Sequence, residues 1–170
     1  MSQIFTPDRK HAAVCGLYCA SCGVYIATQE NNVQELQRMA DSMKQTVEEL
    51  KCDGCGAERK SVWCKIYCTF TQCAKEHKVE FCGSCSEYPC ESLKDFQKKM
   101  PHRIELWKSQ ERIKDAGWEQ WAKEMNDHFS CPACGIINSA YHLSCHKCGN
   151  TPGNQYTVLH KNEVENFFKK

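Results

Sequence analysis

Fifteen cysteines stand in this 170-residue chain, and their spacing sorts them into groups. The sharpest is Phe129-Ser-Cys131-Pro-Ala-Cys134-Gly, with ten residues between Cys134 and the following Cys145-His-Lys-Cys148-Gly. Two C-x-x-C-G knuckles of this kind place four thiolates about 2.3 Å from a zinc ion, each glycine supplying a turn residue of positive φ. Four thiolates leave no open position. Cys131, Cys134, Cys145 and Cys148 are therefore expected to form a zinc ribbon with structural zinc, and catalysis is not expected of it. His142 and His146 flank the motif and are expected to decorate its surface.

A second group fills Cys52 to Cys90, with thiols at 52, 55, 64, 68, 73, 82, 85 and 90, eight in thirty-nine residues. Apolar residues in this stretch are few and show no sustained period, so packing alone cannot fix its backbone. Cys52-Asp-Gly-Cys55 and Cys82-Gly-Ser-Cys85 have the form of metal knuckles. A third group, Cys15-Gly-Leu-Tyr-Cys19-Ala-Ser-Cys22, sets three thiols close enough to grip one metal centre, its fourth ligand coming from elsewhere. Cys90, His11 and His77 are the candidates. Four-coordinate sites take four ligands each, so the 11 cysteines from Cys15 to Cys90 plus one histidine would close three sites. Two sites with three thiols left over fit the count equally well, and so does a single cluster held by three cysteines.

Several chemistries that share these spacings are set aside. C-x3-C-x2-C holds the cluster of radical S-adenosylmethionine enzymes, but those need a large partial barrel for which this chain has no room. Cys82-Gly-Ser-Cys85 has the beginning of a papain-like nucleophile signature, yet Ser86 follows where an aromatic residue belongs. No strand-helix-strand pattern surrounds either central C-x-x-C pair, which argues against a thioredoxin-type dithiol.

Composition points the same way. Leu, Ile, Val and Phe supply 29 of the 170 residues, too few for a self-sufficient core. Cross-links must do the rest. An odd number of thiols cannot all pair within one chain, the first residues lack the apolar segment of a secretory signal, and no run of 18 apolar residues could span a bilayer. A cytoplasmic metalloprotein with reduced thiols and no membrane partner is the expectation. Net charge is +1, which gives no global attraction to nucleic acid. Only Lys94 to Lys114 is locally basic, with seven cations against three carboxylates, and a solvated helix face accounts for it.

Helices must hold these thiols in place: Asn31 or Asn32 caps one whose apolar face runs Val33, Leu36, Met39 or Ala40, Met43, Val47 and Leu50. Glu91 to Phe129 reads as three helices. Leu93, Phe96 and Met100 mark the first, Pro101 opens the second with Ile104, Trp107 and Ile113, and Trp118, Trp121, Ala122 and Met125 mark the third. Asn162 to Lys170 reads as one or two turns that dock Phe167 and Phe168. The fold class expected is a small, metal-dominated α+β protein, a cysteine-rich zinc-knuckle region with several helices plus the C-terminal ribbon. Its domains would be a metal-binding unit at 1–100, a helical connector at 101–128, the ribbon at 129–152 and a partly helical tail at 153–170.

With these residues in view, the chain resembles an uncharacterised cysteine-rich prokaryotic family, a domain of unknown function. The resemblance is carried by Cys15-Gly-Leu-x-Cys19-x-x-Cys22, Cys52-x-Gly-Cys55, Cys68-x4-Cys73, Cys82-x-x-Cys85, Tyr88-Pro89-Cys90, the Gly117-Trp118 helix and the terminal ribbon. Cys64 stands outside that pattern. The resemblance implies metal binding and no established reaction. The function expected is a zinc-binding adaptor or regulator whose several metals are mainly structural and which contacts a protein, with nucleic acid the weaker alternative. An iron-sulfur redox or catalytic protein with a cluster on Cys15, Cys19 and Cys22, and a zinc storage or delivery protein using surplus thiols such as Cys64, are the other readings.

Overall fold

Few of the turns around the thiols are long enough to pair with a neighbour, so helices carry the architecture. The computed structural model describes residues 5–169. Cys22 leads directly into α1, Gly23–Gln29, which packs on α2, Val33–Met43. Asn32 caps α2 by accepting the Glu35 amide at 3.0 Å. The single helix expected to run on to Leu50 ends instead at Lys44, which takes the left-handed conformation (φ 54°) while the Gln45 amide bonds back to the Ala40 carbonyl. Thr46 and Glu49 then cap one another reciprocally and start α3, Val47–Leu50. Ala27, Leu36, Ala40 and Leu50 bury their side chains together, whereas Val33, expected on that face, lies open to solvent.

Beyond the first knuckle, a π-type turn at Trp63–Tyr67 leads to α4, Phe70–Glu76, and then α5, Glu91–Lys98. Pro101 opens a 3-10 turn, Pro101–Arg103, and the helix expected after it begins only at Leu106. That helix, α6, spans Leu106–Ala116 and packs antiparallel on α7, Trp118–Phe129, through a reversal at Gly117 (φ 83°). Two short helices follow, α8, Gln155–Leu159, and α9, Lys161–Phe168. On α9 it is Val164 that is buried, not the expected pair. Phe167 and Phe168 are exposed at the surface, their rings 5.3 and 6.0 Å from that of Tyr141. Lys170, placed in this helix by the sequence, lies outside the described residues.

The α+β expectation is therefore corrected. The chain is mostly helical, and among the described residues extended pairing is limited to two isolated bridges, Ala12 with Tyr18 and Ser130 with Ile137. Both bridges close turns around cysteines, where the chain reverses too sharply to continue a ladder. No helix of the described residues is long and apolar enough to cross a membrane.

One apolar cluster gathers residues from both ends of the sequence: Ala12, Tyr18, Phe81, Ile113, Trp121, Phe129, Ala140 and Tyr156. Its aromatic members are layered, with Phe129 stacked between Tyr18 at 6.1 Å and Tyr156 at 5.2 Å. Beside it, Glu105 lies between two imidazoles, His128 Nε2 at 2.9 Å and His160 Nε2 at 3.0 Å, tying the start of α6 to the end of α7 and the start of α9. Burial alone would raise the Glu105 carboxyl. The two histidines outweigh it and hold the group down at about 2.

Candidate metal centre

The end of α7 delivers the chain straight into the C-terminal knuckles. The Cys131 amide donates to the Ile136 carbonyl at 2.8 Å and the Gly135 amide to the Cys131 carbonyl at 2.9 Å. Cys145 and Gly149 repeat the arrangement with Asn150, at 2.8 and 2.9 Å. Gly135 and Gly149 sit at φ 74° and 73°, as this turn requires, and an added Cβ would meet only open space, so it is the backbone angle that calls for glycine. The two knuckles face each other. Cys131 Sγ lies 3.7 Å from Cys148 Sγ, Cys134 Sγ lies 3.7 Å from Cys145 Sγ, and all four sulfurs fall within 4.8 Å of one another. Four thiolates held tetrahedrally at about 2.3 Å from an ion would stand about 3.8 Å apart. Two of the sulfur pairs already have that spacing, and all four sulfurs are close enough for one ion to draw them together.

A residue that the sequence reading passed over fixes this geometry. Asn138, fully buried, donates through Nδ2 to the carbonyls of Ile136 and Gly153, both at 3.1 Å, and reaches Cys145 Sγ at 3.5 Å. Its Oδ1 accepts the His146 amide at 3.0 Å and lies 2.8 Å from His146 Nδ1. His146 is more than surface decoration, because its Nε2 lies 2.9 Å from Glu30 just past α1 and so links the knuckles to the N-terminal helices. His142 is similarly engaged, its Nδ1 accepting the Ser139 amide at 3.2 Å, and burial pushes it down to about 4. A buried asparagine between two C-x-x-C motifs has no sequence signature of its own.

The charge state suits a cation. Burial opposes ionisation of Cys145, but the Cys148 amide, the Asn138 carboxamide and the Lys147 amide outweigh it and bring the thiol down to about 6. At Cys134 the Ile136 amide favours the thiolate, while burial and the three neighbouring sulfurs drive the group up to about 12. The Cys145 thiolate is favoured and that of Cys134 is opposed, so a metal ion is what would stabilise both together as thiolates.

The N-terminal cysteines are placed differently. Cys15 is buried with Ala13, Phe70, Leu93 and Leu106, and Cys19, Cys55 and Cys68 pack at the edge of that cluster. Cys52 is buried and its amide donates to Thr28 Oγ1 at 3.2 Å. Cys22, at the mouth of α1, and Cys64, in the Trp63–Tyr67 turn, are exposed residues. Cys73, Cys82, Cys85 and Cys90 line one cleft with His77. Among the described residues, Cys131, Cys134, Cys145 and Cys148 form the only group in which three or more ligand atoms lie within 4.8 Å of one another. Cys15, Cys19 and Cys22 thus do not converge to that spacing. Of the fourth ligands considered for them, His11 bonds Tyr25 Oη at 2.7 Å, and His77 Nδ1 lies 3.6 Å from Cys85 Sγ.

Burial raises the thiols of Cys15 and Cys19, and lifts Cys82 to about 12. Behind the thiols stands another residue the sequence did not mark. Gln110 of α6, buried, accepts the Gly83 amide at 2.7 Å inside the Cys82–Cys85 turn and donates to the Val14 carbonyl at 3.0 Å. The Val14 carbonyl also accepts the Cys82 amide at 2.8 Å, so α6 holds the first and last thiol groups of the region in register.

These features define a mostly helical, cysteine-rich chain with one assembled four-thiol group that could hold a metal ion. Residues 11–95 match the model of a family described as a protein of unknown function, DUF3795, and the chain belongs to that family. The match includes every cysteine from Cys15 to Cys90 and stops short of the Gly117-Trp118 helix and the assembled quartet. No curated protein and no solved structure matches the chain.

Proposed function

We propose that this is a cytoplasmic zinc-binding protein in which zinc is structural, and that it acts as an adaptor or regulator through contact with a protein partner. The observation that carries the reading is the quartet of sulfurs, two pairs at 3.7 Å and all within 4.8 Å of one another; read as a zinc ribbon, it is a closed four-thiolate site with no position left for a substrate. Support for a protein partner comes from the Trp63–Tyr67 turn, where Trp63, Ile66 and Tyr67 are exposed, the two rings 4.9 Å apart. The basic stretch gives less support to nucleic acid. Lys94 pairs with Glu91 and Arg112 with Glu124, each at 2.6 Å, and Arg103 stacks on Phe96 at 3.6 Å.

Competition with a chromophoric chelator tests the structural role. Zinc purified with the full chain is expected to transfer slowly, at a rate set by opening of the C-terminal knuckles. A fast, complete release from the folded protein would overturn the structural reading and favour storage or delivery.

A further inference from the structure

Four thiols come together a second time, in a form unlike the C-terminal quartet. Cys73 lies on α4, Cys82 and Cys85 on the turn that Gln110 anchors, and Cys90 at the start of α5, and all four face one cleft of about 140 Å³. Phe70 and Leu93 contribute apolar walls. The Cys85 amide donates to the Cys82 carbonyl at 3.0 Å, closing the C-x-x-C turn, and His77 Nδ1 lies 3.6 Å from Cys85 Sγ.

What separates the two sets is the space between the sulfurs. A single four-coordinate ion draws its thiolates almost into contact, as at Cys131, Cys134, Cys145 and Cys148, and leaves no void. No three sulfurs of the cleft set lie within 4.8 Å of one another, and the space they border is of the size that admits a guest of several atoms, such as a benzene ring, rather than one ion. Soft thiolates in a partly apolar cleft select a thiolate-held cluster over an oxygen-ligated ion. We propose that Cys73, Cys82, Cys85 and Cys90 hold an iron-sulfur cluster, with His77 beside the Cys85 sulfur as a hydrogen-bonding partner. This assignment differs from the Cys15, Cys19 and Cys22 cluster considered from sequence, and it stands independently of the metal at the C-terminal quartet.

The test uses the full chain, purified anaerobically and reconstituted, with thiol present, from sulfide and a mixture of ferrous and ferric iron, the ferric ions supplying the oxidation level of the cluster. The expected result is broad absorption at about 400 nm with bound iron and acid-labile sulfide. That absorption should be lost in Cys82→Ser and in Cys90→Ser and retained in Cys134→Ser. Because the serine variants can fail to fold, the wild-type chain provides a second readout. Iodoacetamide should label Cys73, Cys82, Cys85 and Cys90 before loading and leave them unlabelled after it. Failure to bind iron and sulfide, persistence of the absorption in both cleft variants, or protection of the four cysteines by one equivalent of zinc that excludes iron would each overturn the assignment. None of these outcomes depends on zinc at the C-terminal quartet, whose failure would show instead as unchanged zinc content in Cys134→Ser.

Discussion

Replacing Cys134 by serine is expected to release one metal ion per chain and to disorder residues 129–153. Binding at a structural four-thiolate site contributes on the order of 10 kcal/mol, and little else can substitute for it here. The hairpin tips rest on single amide bonds at Cys131, Gly135, Cys145 and Gly149. Asn138 connects the knuckles, but it is held by the same backbone that the metal organises. The effect should not stop at the knuckles. Phe129 and Ala140 belong to the apolar cluster that includes Ala12 and Tyr18, and His146 pairs with Glu30, so loss of the metal removes packing from the N-terminal half as well. Native mass spectrometry should show the loss of one ion, and hydrogen exchange should show deprotection of 129–153 together with faster exchange around Tyr18. Retention of every ion, or deprotection confined to the knuckles, would contradict this account.

Trp121→Ala should lower stability by about 3–5 kcal/mol, the range for deleting a large buried aromatic side chain. Trp121 is fully buried, its ring edge-on to Tyr18 at 5.8 Å, in the cluster shared by both ends of the chain. Among the described residues its indole Nε1 has no hydrogen-bond partner. Its contribution is therefore packing, and Trp121→Phe, which removes an unpaired donor along with some volume, should cost clearly less than the alanine change. Because one cluster joins the N-terminal turn, α6, α7 and α8, the alanine variant should still melt in a single transition at lower temperature. Two separate transitions, with only one of them shifted, would mean that the two ends fold independently.

Much of the C-terminal site was legible because C-x-x-C-G fixes both the ligands and the turn. Gly135 and Gly149 have the positive φ that the motif requires, and the four sulfurs meet. Helix positions were legible where caps and periodicity agree, as at Asn32 for α2 and Gly117 before α7. The break at Lys44 was not, because the apolar spacing from Leu36 to Leu50 runs across it. Its signal was Thr46-x-x-Glu49, a capping box inside what reads as one helix. The α+β expectation failed because knuckles are hairpin-like in sequence, yet among the described residues extended pairing stops at two isolated bridges, of which only Ser130 with Ile137 brackets a C-x-x-C knuckle. Grouping of the N-terminal thiols was not legible at all. It depends on Gln110, which lies 27 residues beyond Gly83 and 96 beyond Val14, and spacing between cysteines carries no record of such a contact. Phe167 and Phe168 show the opposite error, for two adjacent aromatics at a chain end look like anchors, whereas the helix turns Val164 inward.

The central claim, that Cys131, Cys134, Cys145 and Cys148 hold structural zinc, is tested most directly by X-ray absorption at the zinc edge on the full chain. The account predicts a first shell of four sulfurs at about 2.3 Å, with zinc content falling by one ion in Cys134→Ser. A shell containing nitrogen or oxygen in place of sulfur, or zinc content unchanged by that substitution, would contradict it.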